Sequence, residues 1–182
     1  MKKIETYIND LIIFEPEIYR DERGYFFESY NKKELKNINV DSDFVQDNES
    51  SSSYGVLRGL HFQEEPFDQA KLIRCLKGEV LDVVVDLRKK SSTYLKHFSI
   101  KLSDVNKYQL YIPKGFAHGF VVLSKNATFS YKVDNYYYPN HERGIIWNDS
   151  SLNIDWKVPK NKIIISDKDQ KLPSLLWKKK IY

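Results

Sequence analysis

The chain has 182 residues, 41% of them hydrophobic and 14% aromatic, a formal net charge of +4 and one cysteine. That length supports one core-bearing domain spanning 1–182. The lone thiol excludes an intramolecular disulfide framework and any C-x-x-C metal site and fits a reducing cytoplasm. Lys and Arg are spread along the chain except in the terminal WKKKIY, which argues against a nucleic-acid partner and for a small anionic ligand.

At the start, MKKIETYINDLIIFEPEIY carries two lysines, but its apolar run is only LIIF before Glu15. This is too short for a signal peptide or a membrane span, so a soluble cytoplasmic protein without a membrane partner is expected. Thirteen Tyr and ten Phe favour pleated sheet. NKKELKN at 31–37 predicts a short helix, and ESSS at 49–52 is the one stretch that reads as a low-complexity linker. In KLIRCL, Lys71, Ile73 and Cys75 share one face of a strand, while Leu72, Arg74 and Leu76 share the other. Further along, HFSIKLS, KYQLYIP and ATFSYKVD alternate with period two, setting Phe98, Ile100 and Leu102, then Tyr108, Leu110 and Ile112, then Ala127, Phe129, Tyr131 and Val133 on single faces. Turn residues fill KGE at 77–79, DLRKKSS at 86–92 and PKGFAHG at 113–119, and Ser166 can cap a short helix in DKDQKL before Pro173. Many short strands at close spacing predict an all-β antiparallel barrel or jelly roll with a few short helices.

Two of the four histidines stand out. His61 sits in YGVLRGLHFQ at 54–63 beside Arg58 and Gly59, and His118 sits in PKGFAHGF between glycines. Taken singly, each is as compatible with a structural role as with a catalytic one, and Tyr131 alone reads as a core tyrosine. Pro113, Gly115 and His118 match the second half of a cupin-like P-x-G-x-x-H signature. A metal-binding barrel would carry two histidines one residue apart, and the residue two past His61 is Gln63, so no metal is expected.

The combination is far more specific than its parts. FVQDN at 44–48, GVLRGLHFQ at 55–63, QAKLIRCLKGEVLDVVVDLR at 69–88, IPKGFAHGF at 112–120, FSYKVDNYYYPNHERGIIWND at 129–149 and ISDKD at 165–169 occur in one order. Together they closely resemble the dTDP-4-dehydrorhamnose 3,5-epimerases, from RDERGYFFE at 20–28 to the tail. The resemblance implies a cupin-type jelly-roll barrel, a homodimer, no metal, no cofactor and a nucleotide-sugar substrate. It also implies inversion of carbons 3 and 5 of a 4-keto-6-deoxy sugar on the way to dTDP-L-rhamnose and surface polysaccharide. Matched residue by residue, it makes His61 the base, Asp169 its orienting carboxylate, Tyr131 the acid and Lys71 the neighbour of the keto oxygen. Arg58 and His118 would line the sugar and phosphate site. Arg23, Glu28, Gln46, Asn48, Glu142 and Lys168 would be further substrate contacts, and Tyr137 an aromatic packing on the ligand. Contacts from RDERGYFFE would reach a neighbouring subunit. Cys75 stands where valine is expected, a neutral exchange.

The chemistry asks for these residue types. A hydrogen beside a ketone is weakly acidic, and its removal leaves an enolate whose charge collects on the ketone oxygen. A neutral histidine suits the abstraction, and a cation near the oxygen suits the charge. Inversion also needs a second group to deliver a proton to the opposite face, and Arg58 with other cations would hold a diphosphate. Relatives that invert only carbon 3 or 5, or take GDP- or CDP-linked sugars, keep the same His61 and Lys71 chemistry. A sugar-nucleotide-binding cupin without catalysis would lack the base, the acid or the lysine.

Overall fold

The computed structural model describes residues 1–40 and 42–175; the basic tail from Trp177 onward lies outside the described residues. In chain order it contains β1 (Lys2–Glu5), β2 (Ile12–Glu15), β3 (Tyr19–Asp21), β4 (Gly24–Phe26), α1 (Lys32–Asn37), β5 (Gln46–Ser53), β6 (Leu57–Gln63), β7 (Lys71–Lys77) and β8 (Glu79–Asp86). There follow β9 (His97–Ser103), β10 (Gln109–Ile112), β11 (Phe116–Val122), β12 (Asn126–Val133), β13 (Glu142–Gly144) and α2 (Asp167–Gln170). A six-stranded sheet runs β1-β2-β10-β7-β12-β5 and a five-stranded sheet runs β13-β6-β11-β8-β9, with β3 and β4 forming a separate hairpin. The two large sheets face each other as a jelly roll, as expected from the spacing of strands, and its cupin type is the one the family resemblance implies.

Strand alternation fixes three apolar layers. Between the sheets, Ile13, Ile73, Leu110, Ile112 and Phe129 from one wall meet Val80, Val84, Leu102, Phe116 and Phe120 from the other. The faces predicted for β9, β10 and β12 point into this layer, with Phe98, Ile100 and Tyr108 packed at its margin. Outside the six-stranded sheet, Ile12, Phe14 and Leu72 pack with Leu35 of α1 and with Val40. The segment from Ile145 to Leu175 covers the outside of the five-stranded sheet, where Trp156, Leu152 and Val158 pack on Leu57, Val83, Val85 and Val121. Strands β7 and β10 are therefore buried on both faces, and only half of their apolar pattern follows period two. Asn31 caps α1 by accepting from the Lys33 and Glu34 amides, and Ser166 caps α2 by accepting from the Asp169 amide at 3.1 Å.

One expectation is corrected. ESSS is no linker: residues 49–52 lie inside β5, paired position by position with β12, Ser50 opposite Phe129 and Ser52 opposite Ala127. Serine has little strand preference of its own. Here the ladder to β12 supplies the order, and alternation leaves Gln46, Asn48, Ser50 and Ser52 half-buried while their neighbours face solvent.

Candidate active site

A cavity of about 630 Å³ opens between the two sheets, and Phe120 and Phe129, whose rings stack at 4.3 Å, belong both to the core and to its wall. The same cavity is lined by Asn48, Arg58, His61, Lys71, His118, Tyr131, Lys168 and Asp169. His61 and His118 come from the five-stranded wall, where they are register partners on β6 and β11; Lys71 and Tyr131 come from the six-stranded wall on β7 and β12.

His61 is held by Asp169, its Nε2 lying 2.7 Å from Oδ1. The other carboxylate oxygen, Oδ2, accepts the Gly59 amide at 3.2 Å. Asp169 arrives from over a hundred residues away because the chain bridges Ile164 to Gly55 and Leu57 before α2 begins. Gly59 itself lets β6 lie close against β11. Its φ is +113°, and a Cβ there would stand 2.6 Å from the Gly119 Cα and the His118 carbonyl oxygen. Burial, the largest single influence on Asp169, pushes its carboxyl up, but His61, the Gly59 amide and Lys168 together pull it below the usual range. An ionised Asp169 only accepts, so Nε2 of His61 carries the proton and Nδ1 is the nitrogen able to take one.

A second pair lies deeper. His118 Nε2 is 2.8 Å from Oδ2 of Asp82 on β8, and both residues are buried. Burial lowers the His118 pKa and raises that of Asp82, each partly offset by the other. Asp82 Oδ1 has no hydrogen-bond partner among the described residues. Lys71 shares this environment, and burial brings its ammonium down to about 8 against the opposing pull of Asp82 and Glu142.

Around these pairs stand polar groups of graded exposure. Burial raises the Tyr131 phenol, so it is a neutral proton carrier at neutral pH. Arg58 donates from Nε and Nη2 to the Ser52 hydroxyl at 3.3 and 3.2 Å, a neutral partner that leaves its charge for an anion. Gln46 reaches the cavity through Asn48, donating to its Oδ1 at 2.8 Å. Glu142 on β13 accepts from the Tyr137 hydroxyl at 2.6 Å and pairs with Lys168. This leaves the Tyr137 ring half exposed beside the cavity residue Lys168.

Arg23 and Glu28 are not brought to this cavity. Arg23 pairs with Asp21 at the tip of the β3–β4 hairpin, and Glu28 accepts from the Asn31 side chain at 3.3 Å. The hairpin lies on the other side of the six-stranded sheet from the cavity. The Arg74 guanidinium stacks on Phe27 at 5.7 Å, and Arg74 alternates with Lys71, Ile73 and Cys75 along β7. Lys107 stacks on Tyr25 at 4.3 Å, while Tyr19, Tyr25 and Phe26 stay more than half exposed.

A family model described as dTDP-4-dehydrorhamnose 3,5-epimerase matches residues 5–176. The chain belongs to that family. It is 53% identical over 170 residues to the dTDP-4-dehydrorhamnose 3,5-epimerase of Shigella flexneri, covering 93% of each chain. The crystal structure of the Elizabethkingia anophelis dTDP-4-dehydrorhamnose 3,5-epimerase superposes with a TM-score of 0.94 at 52% identity, over 100% of this chain and 99% of that one. That of the Legionella pneumophila enzyme, in complex with dTDP-4-keto-L-rhamnose, gives a TM-score of 0.92 at 46% identity, over 96% and 93%.

Two residues of this epimerase-family chain escaped the sequence analysis as parts of the site. Asp82 is a charged residue in the centre of EVLDVVVD, where period two turns it inward with Val80 and Val84; an acid in a valine-rich buried strand was the available signal. Ser52 lay hidden in the stretch read as a linker. Among the described residues no three His, Cys, Asp or Glu side chains converge to hold a metal, and the Gln63 amide is turned to backbone groups.

Proposed function

We infer that this chain inverts carbons 3 and 5 of dTDP-4-dehydro-6-deoxy-D-glucose to give dTDP-4-dehydro-L-rhamnose, the reaction of its family. The observation that carries the mechanism is the His61–Asp169 pair, at 2.7 Å, in the same cavity as Lys71 and Tyr131 from the opposing wall. With the sugar between the walls, His61 takes the proton from the carbon next to the ketone and becomes an imidazolium beside the Asp169 carboxylate. The electron pair of the broken C–H bond moves into the enolate, whose oxygen charge the Lys71 ammonium stabilises. Tyr131 then gives its proton to the opposite face, and the carbon is inverted. Repetition at the second carbon requires His61 to lose and Tyr131 to regain a proton through solvent. Only protons move, so the steps balance without a redox partner.

Arg58 and Lys168 supply the cations for the diphosphate, Asn48 and Gln46 the neutral contacts, and the Tyr137 ring a flat face for the base. Arg23 and Glu28 serve the site of a second copy. Their hairpin lies across the sheet from its own cavity, and its exposed Tyr19, Tyr25 and Phe26 suit burial against a partner, which supports a homodimer. No described helix is long and apolar enough to cross a membrane, and a cytoplasmic location fits the free, buried Cys75. The product would feed nucleotide-sugar and surface-polysaccharide synthesis, with residues 1–182 acting as one domain.

The test is NMR of dTDP-4-keto-6-deoxyglucose incubated with the protein in heavy water. Deuterium at both carbons 3 and 5 is expected. Deuterium at one carbon would make the protein a single-site epimerase, and none at either would reduce it to a binding protein. A Tyr131→Phe variant should still exchange protons at least in part while inversion fails; unimpaired inversion would remove Tyr131 from the acid role.

A further inference from the structure

Gln63 is 6% exposed at the end of β6 and lies outside the cavity lining, yet three of the four hydrogen-bonding positions of its amide are used. Its Nε2 donates to the Phe67 carbonyl at 2.6 Å and to the Tyr136 carbonyl at 3.1 Å, and its Oε1 accepts from the Tyr138 amide at 2.6 Å. The backbone on both sides of Tyr137 is therefore tied to one buried side chain. The same loop is strapped again by Gln69, which donates to the Asn135 carbonyl at 2.7 Å, and by Asp134, which accepts the Ala70 amide at 2.7 Å. Phe67 adds ring contacts to Tyr138 at 4.1 Å and His141 at 4.2 Å. At the far end, the Tyr137 hydroxyl donates to Glu142, so the ring is fixed at both backbone and tip while remaining half exposed.

A solvent-facing tyrosine held this way has already lost the freedom that a ligand would otherwise have to remove. We propose that Gln63 is a positioning residue for nucleotide recognition, holding the 134–138 loop so that the Tyr137 ring is presented as a preformed platform for the base. The position that a metal-binding barrel would give to a second histidine is here given to a loop clamp. Gln63 acts through Tyr137 and touches no reacting atom, so its loss falls on binding and spares the chemical step. This inference rests on the proposed role of Tyr137 in packing against the ligand.

The experiment compares wild type, Gln63→Met, Tyr137→Ala and the double variant by steady-state kinetics, together with calorimetric binding of dTDP and of inorganic pyrophosphate. Met keeps the volume and removes the amide. The expected result is a KM raised about tenfold in Gln63→Met with kcat changed less than about threefold. Affinity for dTDP should fall in parallel while pyrophosphate affinity holds. The double variant should be no worse than Tyr137→Ala, the non-additivity of residues acting through one another. A drop in kcat with KM unchanged, or additive effects in the double variant, would overturn the clamp while leaving the Tyr137 assignment standing. A Tyr137→Ala variant with unchanged KM and dTDP affinity would overturn both. If Gln63→Met folds poorly, Gln63→Glu keeps the length and the acceptor for Tyr138 but sets a charge against two carbonyl oxygens, and it is judged by the same outcomes.

Discussion

His61 and His118 are register partners on neighbouring strands, and each meets an aspartate through Nε2 at almost the same distance, 2.7 and 2.8 Å. Their surroundings differ. The His61 side chain is 28% exposed and its aspartate is also tied to a backbone amide, whereas His118 is 9% exposed and its aspartate has one oxygen unpartnered among the described residues. An imidazole that must take a proton and return it to solvent needs access and an ionised partner, which the first pair has. Burial lowers the pKa of His118 and raises that of Asp82, so the deeper pair resists gaining net charge and suits a fixed neighbour of Lys71 rather than a base. In the proposed mechanism the same two residue types divide into a proton-transfer pair and a scaffold, and burial is what separates them.

The sharpest way to break this contrast is Asp169→Asn. Because the Gly59 amide needs an acceptor, the carbonyl oxygen of the substituted side chain would turn to it and present the NH2 group to His61 Nε2. That forces the proton onto Nδ1 and removes the basic nitrogen. The expected fall in kcat is about 10³ to 10⁴-fold, by the logic of a wrong tautomer, with the thermal midpoint little changed. Turnover within about tenfold of wild type, the size of a lesser positioning effect, would show that Asp169 does not set the tautomer.

A smaller effect is expected from the deeper pair, and it reads out as pH dependence. The folded-state pKa of Lys71 is depressed to about 8, so its charge is present below that pH and lost above it. Enolate stabilisation, and with it kcat/KM, should therefore decline as pH rises through about 8. Asp82 opposes the depression, so Asp82→Asn should move this alkaline limb to lower pH, while Asp169→Asn should leave it in place. An unmoved limb in Asp82→Asn, followed by pH-dependent kcat/KM measurements, would separate Asp82 from Lys71.

Much of the barrel was legible because period two is a local signal. The faces of β9, β10 and β12 read directly from HFSIKLS, KYQLYIP and ATFSYKVD, and the second short helix carried a visible cap in Ser166. Strand β5 was not legible, since QDNESSSS owes its order to β12 and nothing to its own composition. The short β3–β4 hairpin gave too few residues to show a period. Within the site, His61 and His118 drew attention through their glycine-rich surroundings. The meeting of His61 with Asp169 depends on a return of the chain 108 residues later, and periodicity carries no such information; the resemblance to a family did. Asp82 carried a signal, one acid in a valine-rich strand buried on both faces, but that signal marks burial and names no partner.

The division between the pairs is tested most directly by deuterium wash-in from heavy water into dTDP-4-keto-6-deoxyglucose, compared in wild type, His61→Ala and His118→Ala. Removal of the base should abolish incorporation at both carbons, a loss of at least about 10²-fold, while His118→Ala should exchange more slowly than wild type yet still measurably. Wash-in near the parental rate in His61→Ala, or its complete loss only in His118→Ala, would contradict the account.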